Sequence, residues 1–363
     1  MLFLMAGGGT GGHVLPALAV ARELRRRGHE VLFVGTRTGL EAKLVPEAGF
    51  VIEFVQIGGL KRVGLAQAPR TLVWLPIRTA QVAAALGRWR PAAVFSLGGY
   101  AAGPVVLAAA ARRVPMVLLE PNAVPGITNR WMGRIAVRAL IQFETAARWF
   151  PAGKAELAGV PVREEFFALS PKPREETLTV LITGGSRGSR TLNRAARESW
   201  PLFRAAGFPV RLIHQTGPEA YAELAREFAS AGLEGEVVPF IYDMPAAFAR
   251  ADLIVSRSGA SAVAEVAAAG KPAIFVPFPF AADDHQTRNA EVLARAGAAR
   301  LAPDNEFDGR RFFDEVAALA ASPVELERMG AAARTFARPG AASRAADALE
   351  QAAARRRGKA VRF

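Results

Sequence analysis

Apolar residues along this chain fall into two alternating patterns. Short runs rich in Val, Ile, Leu and Phe are each followed by a longer stretch in which apolar positions recur at helical spacing among Ala, Arg and Glu. Runs too short for a helix and bounded by Gly or Pro predict buried strands, and the stretches between them predict amphipathic helices. In the first half the strands are predicted over Leu2–Ala6, Val31–Val34, Phe50–Val55, Ala93–Leu97, Met116–Leu119 and Ala139–Gln142. In the second they are predicted over Leu178–Thr183, Val210–His214, Glu236–Phe240, Leu253–Ser256 and Ala273–Val276. Strands alternating with helices in this way predict an α/β fold of parallel sheets covered on both faces.

The pattern stops at Ser170-Pro171-Lys172-Pro173-Arg174 and then restarts as it began, with a strand and a glycine loop. With 363 residues, more than twice a common domain size of about 150, the expectation is two doubly wound, Rossmann-like domains facing across a cleft. The first covers residues 1–158 and the second 159–337. A C-terminal helix over about 338–357 is expected to pack back on the first domain, and a basic tail at 358–363 follows.

Three glycine loops stand directly behind strands: Gly7-Gly8-Gly9-Thr10-Gly11-Gly12-His13, Gly98-Gly99-Tyr100 with Gly103, and Gly184-Gly185-Ser186-Arg187-Gly188. A helix is expected after the first loop, with Pro16 in its first turn. A strand, a glycine loop and a helix in that order collect unpaired backbone N–H groups and the positive end of a helix dipole at one place. Missing Cβ atoms then let a phosphate approach the backbone. Three such loops point to two phosphate-bearing ligands.

Composition narrows the class. No apolar run approaches the length of a membrane span, and the chain starts in a strand without a basic leader, so a cytosolic protein is expected. There is no cysteine, hence no disulfide, thiolate metal site or cysteine nucleophile. The net charge of +13 is uneven: residues 1–158 hold 19 Lys/Arg and 8 Glu with no Asp, whereas residues 159–350 hold 22 basic and 25 acidic groups. An anionic partner is therefore expected on the first half and the basic tail. Leu60–Leu65 and Arg70–Arg78 mix apolar residues with cations, as interfacial segments do, although a core helix with charged flanks reads the same way.

Taken in order, Gly8–His13, Gly98-Gly99-Tyr100, Asn122 with Gly126 and Asn129, Gly159–Arg163, Gly184-Gly185-Ser186, His214–Gly217, Pro239-Phe240-Ile241, Arg257–Ala260, Glu265 and Asp283–Ala290 resemble one family from about residue 3 to 345. It is the bacterial family that converts lipid I to lipid II in peptidoglycan synthesis. Its members are inverting N-acetylglucosaminyltransferases with two Rossmann-like domains.

The resemblance implies UDP-GlcNAc as donor, bound by the second domain. Glu265 would hold the ribose, Ile241 would offer backbone to the uracil, and Ala260, Ser261, Ala262, Val263 and Ala264 would line the diphosphate. Ser186, at the start of its helix, and Arg163 would meet the nucleotide, and Gln286 would read the GlcNAc hydroxyls. The first domain would hold lipid I. His13 would be the general base or an acceptor ligand, its imidazole kept neutral by the helix end. Asn122 would bond the sugar, Thr10, Gly11 and Gly12 would touch donor sugar or acceptor phosphate, and Gly98, Gly99 and Tyr100 would meet the acceptor diphosphate.

No metal or other cofactor is expected, since helix ends, hydroxyls and arginine can stabilise departing UDP. The expected location is peripheral, on the anionic cytoplasmic face of the cell membrane beside other cell-wall enzymes. Two departures stand out: Leu119-Glu120-Pro121-Asn122 replaces the family's usual His-Glu-Gln-Asn, and Arg187 replaces a glutamine. A UDP-GlcNAc 2-epimerase is the rival within the fold. A dinucleotide oxidoreductase lacks its acidic residue, because Val31–Val34 runs into Gly35-Thr36-Arg37. A nucleic-acid binder lacks any reader motif, and no nucleic-acid partner is expected.

Overall fold

A computed structural model of the chain describes residues 1–8, 11–55, 68–99, 102–170, 172–173 and 175–360, with side chains except at 11–12, 68–74 and 357–360. Thr10, Tyr100 and Leu60–Leu65 therefore lie outside the described residues, as do the side chains of Leu72 and Trp74. The chain forms two compact units, Met1–Val162 with Gly340–Phe363, and Arg163–Pro339. The first boundary falls just beyond the one expected at Gly159. The Gly159 N–H donates to Ile141 O (3.0 Å) and the Val160 N–H to Gln142 Oε1 (2.7 Å), which ties this stretch to the first sheet.

The first unit carries strands β1 (Leu2–Ala6), β2 (Glu30–Gly35), β3 (Val51–Phe54), β4 (Ala93–Ser96), β5 (Met116–Glu120), β6 (Arg138–Ile141) and β7 (Ala155–Leu157). They pair in the order β3-β2-β1-β4-β5-β6-β7, every neighbour parallel. Its helices are α1 (Gly11–Arg26), α2 (Glu41–Glu47), α3 (Ala68–Trp89), α4 (Gly103–Ala111) and α5 (Ile127–Met132). The second unit carries β8 (Leu178–Thr183), β9 (Val210–Gln215), β10 (Glu234–Val238), β11 (Leu253–Ser256), β12 (Ala273–Phe275) and β13 (Ala299–Leu301), in the parallel order β10-β9-β8-β11-β12-β13. Its helices are α6 (Arg190–Ala205), α7 (Tyr221–Ala229), α8 (Met244–Arg250), α9 (Ala260–Ala269), α10 (His285–Arg295), α11 (Gly309–Ala320) and α12 (Pro323–Arg334). The last helix, α13 (Ala341–Ala360), returns to the first unit and runs three residues past the expected Arg357.

Alternation along β1 shows how each sheet is covered. Phe3 and Met5 face one core with Val14 and Leu18 of α1 and Leu349 of α13. Leu4 and Ala6 face another with Val82 and Leu86 of α3 and Val105 of α4. Full burial of Leu349 contributes roughly 2 kcal/mol to docking α13. Polar contacts set its register: Arg27 Nη1 reaches Asp347 (2.5 Å) and Glu350 (2.8 Å), and Arg344 Nη2 donates to Ala158 O (2.7 Å).

Pro16 lies inside α1 and not in its first turn, because the helix begins at Gly11, within the glycine loop itself. In both sheets the chain reverses its direction of build at the first strand, between β1 and β4 and between β8 and β11. Doubly wound sheets bind ligands in the crevice beyond the carboxyl ends of the strands at such a point. Each of the three glycine loops follows one of these strands.

Candidate functional site

In the second unit, the loop after β8 is shaped by close backbone contact. A Cβ on Gly188 (φ +74°) would stand 1.8 Å from Thr216 O, and one on Gly217 (φ +80°) 2.3 Å from Arg187 O. Two loops can touch this closely only as glycine. The buried Gln215 locks them further. Its Nε2 donates to Thr183 Oγ1 (3.1 Å) and Gly185 O (2.8 Å), and its Oε1 accepts from the Ile241 N–H (2.8 Å). Ile241 thus has its N–H engaged, and the backbone group it retains for a ligand is the carbonyl.

Below this, His214 Nε2 lies 3.0 Å from Asn193 Oδ1, while Asn193 Nδ2 donates to Thr216 O (2.9 Å). With the amide so oriented, Nε2 carries the hydrogen. Burial pushes the His214 pKa down to about 4, so this ring is neutral and structural.

Ser186 sits in an exposed turn, not at the start of a helix as expected. Ser189 is the cap of α6 instead, its Oγ accepting from the Leu192 N–H at 3.3 Å. The longer loop leaves Ser186 and Arg187 exposed at the rim of the crevice.

Beyond β11, Gly259 caps α9, and the Val263 N–H already donates to Gly259 O (3.0 Å). The N–H groups of Ala260, Ser261 and Ala262 precede it and are the open end of the helix. Of the five expected diphosphate neighbours, Val263 and Ala264 are buried in the core, and Ala260, Ser261 and Ala262 are half-buried. Ser261 Oγ is buried without a hydrogen-bond partner among the described residues. One turn on, Glu265 is half-buried and makes no hydrogen bond among the described residues. Burial pushes its carboxyl up from 4.5 to about 7, opposed by the charge of Arg163. The exposed Arg163 lies 5.4 Å over the Phe166 ring, with Nη1 3.5 Å from Tyr242 O.

Gln286 is half-buried in the first turn of α10. Its Oε1 accepts from the Phe278 N–H (3.0 Å), leaving the amide NH₂ to meet a ligand, and its carbonyl accepts from Ser258 Oγ (2.8 Å). Asp283 and Asp284 both hold φ near +50° immediately before this helix, a strained pair of non-glycine residues. Arg257 serves the scaffold, with Nη1 donating to Val276 O, Pro277 O and Asp304 Oδ1.

In the first unit, His13 stands in the first turn of α1, with Nδ1 3.5 Å from Gly8 O. Its ring edge lies 3.6 Å from where a Cβ of Gly99 (φ +77°) would be, so the first two glycine loops meet at this histidine. Asn122 is half-buried beside Glu120, which sequence reading placed in a motif without assigning it work. Glu120 is buried and accepts from Asn122 N–H (2.9 Å), Asn122 Nδ2 (3.2 Å), Gly126 N–H (3.1 Å) and Asn129 Nδ2 (2.9 Å).

Gly98 packs on Asn129, where a Cβ would come within 2.8 Å of Oδ1. One carboxyl group therefore positions Asn122, Asn129 and the second glycine loop. Desolvation raises its pKa to about 7 against the lowering effect of those bonds. Leu119 and Pro121, the two residues that make this segment depart from the family pattern, are buried on either side.

Glu41 went unnoticed in the sequence. It is buried, bonds the Thr36 N–H (2.9 Å) and Oγ1 (2.8 Å), and occupies the space that side chains at Gly8, Gly35 and Gly39 would take. The clustered glycines around it were the available signal. Among the described residues no three His, Asp or Glu side chains converge on a metal position.

Comparison with known proteins agrees over the full length. The family model for the glycosyltransferase family 28 N-terminal domain matches residues 3–141, and that for the family 28 C-terminal domain matches residues 179–351. The chain is 62% identical over 351 residues to the UDP-N-acetylglucosamine–N-acetylmuramyl-(pentapeptide) pyrophosphoryl-undecaprenol N-acetylglucosamine transferase of Solibacter usitatus, covering 97% of this chain and 96% of that one. It is 46% identical to the protein of the same name from Halorhodospira halophila, covering 96% and 98%. The crystal structure of Acinetobacter baumannii MurG superposes with a TM-score of 0.80 at 34% identity, covering 96% and 99%.

Proposed function

This chain belongs to glycosyltransferase family 28, among the MurG-type N-acetylglucosamine transferases, and on that premise we propose that it transfers GlcNAc from UDP-GlcNAc to lipid I. The acceptor is the 4-hydroxyl of the MurNAc carried on undecaprenyl diphosphate, and the products are lipid II and UDP, with inversion at C1 of GlcNAc. The observation that carries this reading is 62% identity over 97% of the chain to a relative of that name, with the three glycine loops behind strands at the switch points of the two sheets.

In this reading Glu265, ionised, accepts both ribose hydroxyls, and the Ile241 carbonyl meets the uracil. The open N–H groups of Ala260, Ser261 and Ala262, with Ser186 and Arg163, hold the diphosphate. Negative charge grows on UDP as the glycosidic bond breaks, and a helix N-terminus with a guanidinium stabilises it without a metal ion. Gln286 reads the sugar through its amide NH₂. His13 is the general base toward the acceptor: an Nδ1–H directed at Gly8 O selects the tautomer in which Nε2 is the basic nitrogen. Asn122, held by Glu120, bonds the sugar, and Gly98 and Gly99 with Tyr100, and Thr10 with Gly11 and Gly12, serve the diphosphate of lipid I.

We assign this work to the cytoplasmic face of the membrane, alongside other enzymes of cell-wall growth and division. Support comes from the charge of the first half and from Ile127, Trp131 and Ile135, which are 67%, 61% and 52% exposed beside Arg130 and Arg134. Among the described residues no helix is long and apolar enough to cross a membrane.

The donor assignment is tested by titrating UDP into wild type and Glu265→Ala. A loss of at least tenfold in affinity in a folded variant is expected. Equal affinity would remove the ribose role.

A further inference from the structure

At the strand ends opposite the glycine loops, the first unit holds a cavity of about 500 Å³. It opens where β1, β4 and β5 begin. Three segments far apart in sequence wall it: the end of α3, the residues after α4, and the last turns of α13. Leu2, Leu86, Val114 and Ala353 form the apolar part, and Arg90, Arg112 and Arg356 bring three charges with no Asp or Glu among the lining residues.

All three are exposed, and side-chain contacts tie two of them to the fold. The Arg112 guanidinium lies over Gly87, where a Cβ would stand 3.3 Å from Nη2 and 3.4 Å from Nη1. Arg356 Nη1 donates to Pro91 O (2.9 Å). Arg90 holds φ +51°, a left-handed conformation that a non-glycine residue adopts under strain. None of the three has an ion pair among the described residues. Beyond Arg356 the sequence adds Arg357, Lys359 and Arg362 and no acid.

Three guanidinium groups around one cavity repel each other unless an anion joins them. Their planar donor forks match phosphate oxygens, and the volume suits a small ligand. We propose that this cavity binds a phosphate-bearing anion, apart from both substrate sites, and that its occupancy holds α13 against the first unit. The phosphate belongs either to a soluble molecule or to a lipid headgroup.

The test uses the full chain, with inorganic diphosphate titrated by calorimetry in one arm. In the other, vesicles of phosphatidylcholine with and without phosphatidylglycerol are sedimented with the protein. Arg90→Ala/Arg112→Ala should weaken diphosphate binding at least tenfold if the ligand is soluble, or binding to phosphatidylglycerol vesicles at least tenfold if it is a headgroup. UDP affinity should stay unchanged in either case. Arg90→Lys/Arg112→Lys, which keeps the charge, should recover part of the loss. Wild-type behaviour of the alanine variant in both arms would overturn the proposal.

Discussion

Two glutamates with displaced pKa values give the protein a pH signature at the scale of single residues. Glu120 and Glu265 each titrate near 7 in the folded protein, against about 4.5 unfolded. Between those values the folded chain binds protons that the unfolded chain has released, so stability without ligand should fall as pH rises from about 4.5 to 7 and then level off. Chemical denaturation across this range, compared with Glu120→Gln and Glu265→Gln, reads the effect: each variant should flatten part of the slope, and an unchanged slope in both would refute the assignment. On the proposed ribose role of Glu265, UDP binding has the opposite sense, because the ribose hydroxyls need the ionised carboxylate. The affinity ratio of wild type to Glu265→Gln should grow as pH rises through 7. The place of Glu265 near the start of α9 was legible from its motif. The hydrogen-bonding work of Glu120 was not, because a carboxylate's partners are set by the folding of the loop that follows it. Ser186 and Ser189 are equally good caps by composition, and only the path of the loop chooses the second.

Among the elements, the glycine loop after β8 carries the sharpest consequence. Gly188→Ala would place a Cβ 1.8 Å from Thr216 O in a left-handed backbone. The loop must then part from Thr216-Gly217, breaking the surroundings of Gln215 that hold Ile241. Stability should drop by roughly 2 kcal/mol or more, and UDP affinity should fall with it. A variant with wild-type melting and UDP binding would contradict this account of the loop. The long central strands and the three loops could be read in advance because buried parallel strands are continuous apolar runs. The strands β7 and β13 were missed, since each is a three-residue edge strand, Ala155-Glu156-Leu157 and Ala299-Arg300-Leu301, with a charge at its middle. The strand expected over Glu236–Phe240 ends at Val238, which frees Phe240 and Ile241 to stand in the loop at the crevice.

For the whole molecule, charge divides along the chain, with +11 on residues 1–158 and −3 on residues 159–350. Binding to vesicles containing anionic lipid should therefore weaken as salt screens it. Ile127→Ser/Trp131→Ser should lower it further without changing UDP affinity; salt-independent binding, or none, would remove the membrane assignment. The reaction itself is tested most directly by incubating the purified protein with UDP-GlcNAc and a lipid I analogue, with and without EDTA, and following both products. The expected products are UDP and the β-linked disaccharide in equal amounts, formed only when the acceptor is present and undiminished by EDTA. UDP release or epimerised sugar without acceptor would contradict the transferase reading. Activity lost to EDTA and restored by Mg²⁺ would contradict its charge-stabilising chemistry.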